Sequence, residues 1–258
     1  LVLWLSGDKY ARDGIWWLLT YTVNFYFLKG GLKESINHLW TLAIEEQYYF
    51  IYPLIVLLCT RKQRWRALWL MCAVALVSRV ALDLRGVRVT DNKYFTLGAF
   101  DSFALGGMLA HVEAARGKER VLAVFRKPMT GVITAAVIVA FGLLGLFLGE
   151  KASLRVVWFR SVISIASLYV VGLALLENKT LGVVLGNRWL VFIGKISYGV
   201  YLYHLYAHHI LRLFYAKADD LSYPVQLALY VAITMVVSTA SWFLIEKPIN
   251  GLKSRFSY

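Results

Sequence analysis

The chain has little cysteine and little acid. Only two of its 258 residues are cysteine, Cys59 and Cys72. They flank one basic loop, so neither a disulfide framework nor a metal-binding pattern is supported, and both read as packing residues. Asp and Glu number 15 against 28 Lys and Arg. In a soluble chain that imbalance would suggest a nucleic-acid partner. Here the basic residues sit in short loops between apolar runs, where charge reads as membrane topology, and no nucleic-acid partner is expected. Also missing are a Gly-x-Ser-x-Gly elbow, a phosphate-binding glycine loop and a His-Glu-x-x-His zinc motif, so no metal is expected. No Gly/Ser linker, repeat or low-complexity segment divides the chain, which predicts one membrane domain over residues 1–258. The opening Leu1-Val-Leu-Trp-Leu5 lacks both the charged start and the cleavage site of a signal peptide, and looks like the tail of a hydrophobic segment.

What is present is apolar mass. Hydrophobic residues make up 59% and aromatics 15% of the chain, and the mean hydropathy is +0.60. One soluble core of this size could not hide so much apolar surface. The expected fold is all-α: a polytopic transmembrane helix bundle of about seven to eight membrane helices. Seven candidate crossings fall near residues 40–59, 66–82, 95–113, 129–148, 156–176, 190–214 and 225–245. An eighth, aromatic-rich segment from Trp16 to Leu28 could span or could lie at the interface.

Orientation follows from basic residues. Arg61, Lys62, Arg64 and Arg66, then Arg116, Lys118, Arg120, Arg126 and Lys127, then Lys179 and Arg188, and finally Lys247, Lys253 and Arg255 occupy alternate loops. The positive-inside bias assigns these to the cytoplasm. The opposite loops carry Arg85, Arg88 and Lys93, Lys151 and Arg155, and Lys217, beside Asp83, Asp91, Glu150, Asp219 and Asp220. On this reading His38, Trp40 and Glu45 lie at the outer end of the first crossing.

Several polar groups stand in these apolar runs at a cost. His38-Leu-Trp-Thr-Leu-Ala-Ile-Glu-Glu-Gln-Tyr-Tyr49 places two carboxylates, a histidine and a tryptophan at a helix start, which marks a functional-site candidate. On a helix His38 and Glu45 share a face, and Glu45 neighbours Tyr49. Helix packing and an interfacial aromatic belt of Trp40, Tyr48, Tyr49 and Tyr52 are the competing readings. Ser197, Tyr201 and His204 form a polar stripe that could line a substrate path or glue helices together. Arg79 can reach Asp83 at i+4 or snorkel to headgroups. A buried Asp101 should pair with a cation such as Arg79, and Gly98, Gly106 and Gly107 beside it permit close helix contact.

His38-Leu-Trp-Thr-Leu-Ala-Ile-Glu-Glu-Gln-Tyr-Tyr-Phe-Ile-Tyr-Pro53 resembles the His-x-Trp-Ser-Leu-x-Val-Glu-x-Gln-Phe-Tyr hallmark of the membrane acyltransferase-3 family. Three further blocks follow in order: Phe100–Ala110, Leu190–His204, and Phe243-Leu-Ile-Glu-Lys-Pro248. The resemblance implies a transferase of groups other than amino-acyl groups. Such an enzyme moves an acyl group, often acetyl, from cytoplasmic acyl-CoA to a hydroxyl of an extracytoplasmic glycan or lipid, and would sit in the bacterial inner membrane. Family members carry an Arg and a catalytic His on the first membrane helix. Neither is found here, so the chain is expected to be truncated by about two helices and inactive alone. Ala99 stands where many members have an Arg, so the cation for Asp101 must come from elsewhere.

The resemblance thus implies Glu45 and His38 as catalytic candidates and Trp40, Arg79, Asp101, Ser197, Tyr201 and His204 as substrate-binding candidates, with acyl-CoA as donor and membrane lipids around. Glu45 would orient the missing base, His38 and Trp40 would shape the acceptor entrance, and Ser197, Tyr201 and His204 would line the donor route. The alternatives are a transporter or flippase for a glycolipid or small acid, since polar residues on several crossings can line a pathway, and a structural or sensory subunit. Acceptor identity, acyl chain and oligomeric state are not encoded in a readable way.

Overall fold

Every described element is helical, as the 3.6-residue periodicity and the need to satisfy backbone groups in lipid require. A computed structural model of the chain describes residues 14–30, 36–87, 93–147, 152–176, 182–183, 185–215, 217–252 and 254, without side chains at 145–147 and 152–156. Leu1–Leu5, Arg88, Asp91, Glu150, Lys151, Lys179, Lys253 and Arg255 lie outside the described residues, as does the side chain of Arg155. The chain falls into two compact units. The first gathers the described residues of Leu1–Trp16, Leu32–Leu39 and Val183–Tyr258; the second gathers Trp17–Gly31 and Trp40–Gly182.

Short helix α1 (Ile15–Leu19) has Ile15 and Trp16 in the first unit; the second unit holds its remainder, α2 (Val23–Leu28), α3 (Leu39–Leu58) from Trp40 on, α4 (Arg61–Leu84), α5 (Phe100–Arg116), α6 (Lys118–Arg126), α7 (Pro128–Phe147) and α8 (Ala152–Ala174). A capping box starts α4: Thr60 Oγ1 accepts from the Gln63 amide, while Gln63 Oε1 accepts from Thr60 N at 2.8 Å. Leu68, Met71, Ala75 and Arg79 form the buried stripe of α4, and Phe100, Asp101, Ala104, Gly107 and Met108 that of α5. These stripes meet, with Tyr48 of α3, in one core. Phe50, Leu57 and Leu58 on α3 and Trp69, Leu70 and Val77 on α4 are more than half exposed, the arrangement of a lipid-facing surface.

In the first unit, α9 (Arg188–Tyr203) is capped by Asn187, whose Oδ1 accepts from Trp189 N at 2.9 Å. A 3₁₀ turn (His204–Tyr206) leads into α10 (Ala207–Phe214), followed by α11 (Tyr223–Ser241). A π turn (Trp242–Glu246) then joins α11 to α12 (Lys247–Gly251). Gly199 lets α9 lie close on α11, since a Cβ there would stand 3.1 Å from Ser238 Cα.

Among the described residues three helices are long and apolar enough to cross a membrane: Arg61–Leu84, Val157–Ala174 and Tyr223–Gly251. The pair α6 and α7, bent by 64°, makes a fourth if counted as one span. These coincide with four of the seven expected crossings. The other three are helical but fall short for identifiable reasons. In α3 the Glu45-Glu46-Gln47 run lowers the hydropathy, α5 has only 17 residues, and residues 190–214 are broken by the 3₁₀ turn. The segment from Trp16 to Leu28 is broken at Tyr21, whose φ of 53° ends α1. Neither α1 nor α2, at 5 and 6 residues, can cross a hydrocarbon layer of about 30 Å alone.

Candidate functional site

His38 lies in the turn before α3, so helical spacing does not relate it to Glu45. Its partners come instead from the far end of the sequence. Within the first unit, His38 Nε2 lies 3.1 Å from the carbonyl of Leu202, and the Tyr201 hydroxyl donates to the His38 carbonyl. A carbonyl can only accept, so Nε2 carries the proton and Nδ1 is the proton-accepting position of the neutral ring. Around that ring stand His204, Tyr206 and Tyr201, with centroids at 5.1, 5.5 and 5.6 Å. His204 Nδ1 donates to the Tyr201 carbonyl at 2.7 Å. Burial holds His38 below the usual imidazole range, the Leu202 carbonyl works against that shift, and His204 adds to it.

The expected stripe on α9 is only partly gathered. Tyr201 and His204 reach His38, whereas Ser197 is exposed and donates to its own helix at Gly194 O, 2.8 Å away. Tyr206 was not foreseen: the 3₁₀ turn winds more tightly than an α-helix and so shifts which side chains share a face, and no residue pattern announces that change. Nearby on α10, Arg212 donates to Asp219, holding that exposed carboxyl below its ordinary range, and His208 lies 3.6 Å from the same group.

The second unit holds the remaining candidates. Glu45 is half-buried on α3 and makes no hydrogen bond or ion pair among the described residues. Its neighbour Gln47, which sequence reading passed over, is fixed on every side. Asn24 Nδ2 donates to Thr96 Oγ1 at 2.9 Å, Thr96 Oγ1 donates to Gln47 Oε1 at 2.6 Å, and Gln47 Nε2 donates back to Asn24 Oδ1 at 3.0 Å. The second protons of the two amides go to the carbonyls of Tyr94 and Tyr21. The ring of bonds ties α2 and the turn before α5 to the glutamate-bearing turn of α3.

Asp101 does pair with Arg79, at 2.6 Å, and the Asp83 alternative is not realised. Ser161 of α8 donates to the same carboxylate oxygen at 2.5 Å and accepts from Arg79 at 2.7 Å. The cation that Ala99 does not supply therefore comes from Arg79 on α4. Both charges are buried, at 2% and 5% exposure for Arg79 and Asp101. Trp40 stands edge-on to Tyr94, with ring centroids 5.7 Å apart. It borders a cavity of about 510 Å³ that Arg79, Lys93, Ser102, Phe159, Arg160, Ile163 and Ser164 also line. No group of three or more metal-ligating side chains occurs among the described residues.

The family described as an acyltransferase domain matches residues 1–243. The peptidoglycan O-acetyltransferase OatA of Listeria monocytogenes is 29% identical over 98% of this chain and 42% of its own length. The O-acetyltransferase OatA of Staphylococcus aureus (strain NCTC 8325 / PS 47) is 26% identical over 91% of this chain and 39% of its own length. The chain thus spans about two-fifths of the curated relatives it matches. No solved structure matches it. With a family match over nearly the whole length, and with apolar helices built to meet lipid, the chain belongs to the acyltransferase-3 family of integral membrane proteins.

Proposed function

We propose that the protein is an integral membrane O-acyltransferase that moves an acyl group, acetyl by analogy with its relatives, from cytoplasmic acyl-CoA to a hydroxyl of an extracytoplasmic glycan. A lipid hydroxyl is the second choice of acceptor, and the bacterial inner membrane is the expected home. The observation that carries the reading is the gathering of His38, Tyr201 and His204 across 163 or more residues of sequence. Structural glue needs no such convergence of one imidazole and two phenols on a buried imidazole ring.

In the reaction the acceptor oxygen attacks the thioester carbonyl carbon while its proton passes to a base. The tetrahedral intermediate then collapses, the C–S bond breaks, and the leaving thiolate takes up a proton from the protonated base. By analogy with the family, that base is a histidine. His38 shapes the acceptor entrance, and the Leu202 carbonyl fixes its ring in one tautomer. Glu45 balances the charge of the protonated base, and Trp40 flanks the acceptor entrance. Tyr201 positions His38 through its backbone carbonyl, while His204 and Ser197 face the donor route. Arg79 and Asp101 hold α4, α5 and α8 in register within the second unit.

Membranes containing the full-length protein, given labelled acetyl-CoA and a glycan acceptor, should yield labelled acceptor. Uptake of unmodified glycan without labelling would instead establish a carrier and overturn the reading.

A further inference from the structure

Among the described residues, the cavity beside Trp40 carries more positive charge than its carboxylates neutralise. Arg79, Lys93 and Arg160 all line it, and Asp101 is committed to Arg79 at 2.6 Å. Neither Lys93 nor Arg160 makes an ion pair with a carboxylate among the described residues. Both are held in place by other means. Arg160 lies 5.6 Å from the Trp40 ring centroid, Lys93 Nζ lies 5.1 Å from that of Tyr94, and Arg160 Nη1 donates to the Lys93 carbonyl at 3.5 Å.

Two cations on an apolar wall of Phe159 and Ile163 are costly without a counter-charge. The serines do not supply one. Ser164 donates to the Arg160 carbonyl at 2.9 Å and so accepts from Ser102 at 2.7 Å, which uses the hydroxyl protons of both. Among the described lining residues, the Lys93 ammonium and the Arg160 guanidinium are the charged donors without a carboxylate partner. A fork and a point charge of that kind match a carboxylate or phosphate oxygen pair.

We propose that this cavity is an oxyanion subsite in which Lys93 and Arg160 bind a carboxylate or phosphate group carried by the acceptor, with Trp40 stacked against the adjoining part of the same molecule. The inference rests on the acyl-transfer reading and its orientation, in which Trp40 and Lys93 lie toward the outer face. It narrows the acceptor class to anionic glycans or glycolipids.

The test uses the full-length protein in nanodiscs of neutral lipid, titrated calorimetrically with inorganic pyrophosphate as probe. Saturable binding is expected, weakened at least 10-fold by Lys93→Gln or Arg160→Gln and recovered to within 3-fold by Arg160→Lys, estimates of about the size expected for losing one charge-assisted contact. An Arg160→Lys protein that melts like wild type and fails to bind would overturn the proposal, as would absence of binding to the wild type. Two further arms identify the source of the anion. Displacement of the probe by phosphatidylglycerol in the disc would make the occupant a lipid headgroup, and displacement by coenzyme A would make it the donor; either overturns the acceptor assignment. If the probe binds as expected but the wild type transfers no label from acetyl-CoA, the acyl-transfer reading fails while the oxyanion site stands.

Discussion

Gln47 is a residue whose role lies in what it satisfies. Its amide closes a ring with Asn24 and Thr96, and Asn24 is wholly buried. Replacing it by leucine strands the donors and acceptors of both partners, at about 1–3 kcal/mol for each buried group left unpaired. Gln47→Leu should therefore lower the thermal midpoint in detergent by several degrees, whereas a surface change such as Arg120→Gln should not move it. The pair Arg79–Asp101 is a sharper case, because Asp101→Ala leaves a buried guanidinium without its counter-charge. A loss of about 3–5 kcal/mol is expected, read as a large drop in the same midpoint. His38 gives a pH signature. Burial lowers its folded pKa, so as pH falls the unfolded chain takes up this proton before the folded one. Its contribution to stability is therefore complete above the ordinary imidazole value of about 6.5 and declines as pH drops from there through the lowered one. The part of the transfer rate that needs neutral His38 should hold its plateau to a pH below about 6.5 and fall beneath it, a profile that His38→Gln should abolish.

At the scale of elements, close approach depends on small residues. A Cβ on Gly107 would come within 2.8 Å of Leu68 Cδ2 and 3.1 Å of the Tyr52 hydroxyl, so α3, α4 and α5 meet only because that position is glycine. Gly107→Ala should destabilise the fold by about 1–3 kcal/mol through overpacking, seen as earlier thermal unfolding, while Gly106→Ala, with open space around it, should be tolerated. The glycine block from Gly98 to Gly107 announced such contact in the sequence, as the apolar periodicity announced most helices. The Arg79–Asp101 pair was also legible, because a buried carboxylate needs a cation and few were in reach. Other features were not. The 3₁₀ turn at His204–Tyr206 and the αL residue Tyr21 are set by tertiary packing. Lys93 read in sequence as a loop charge and Arg160 was not singled out, and nothing in their spacing predicted one shared cavity.

For the whole molecule, the account depends on which loops face which side. Single cysteines placed at Arg120 and at Asp220, both exposed, in a background lacking Cys59 and Cys72, should differ in reactivity toward a membrane-impermeant maleimide. Asp220→Cys should label in intact cells and Arg120→Cys only in inverted vesicles; the reverse pattern would invert the orientation. His38 and its aromatic cluster belong to one compact unit, and Glu45 and the cationic cavity to the other. The central claim is acyl transfer. Its most direct measurement is the rate of labelled acetyl transfer from acetyl-CoA to glycan by membranes holding equal amounts of full-length wild type, Glu45→Gln and His38→Ala. The account predicts labelled glycan from the wild type, a loss of about 100-fold or more for Glu45→Gln and of about 10-fold to 100-fold for His38→Ala. Equal labelling by all three proteins would contradict it.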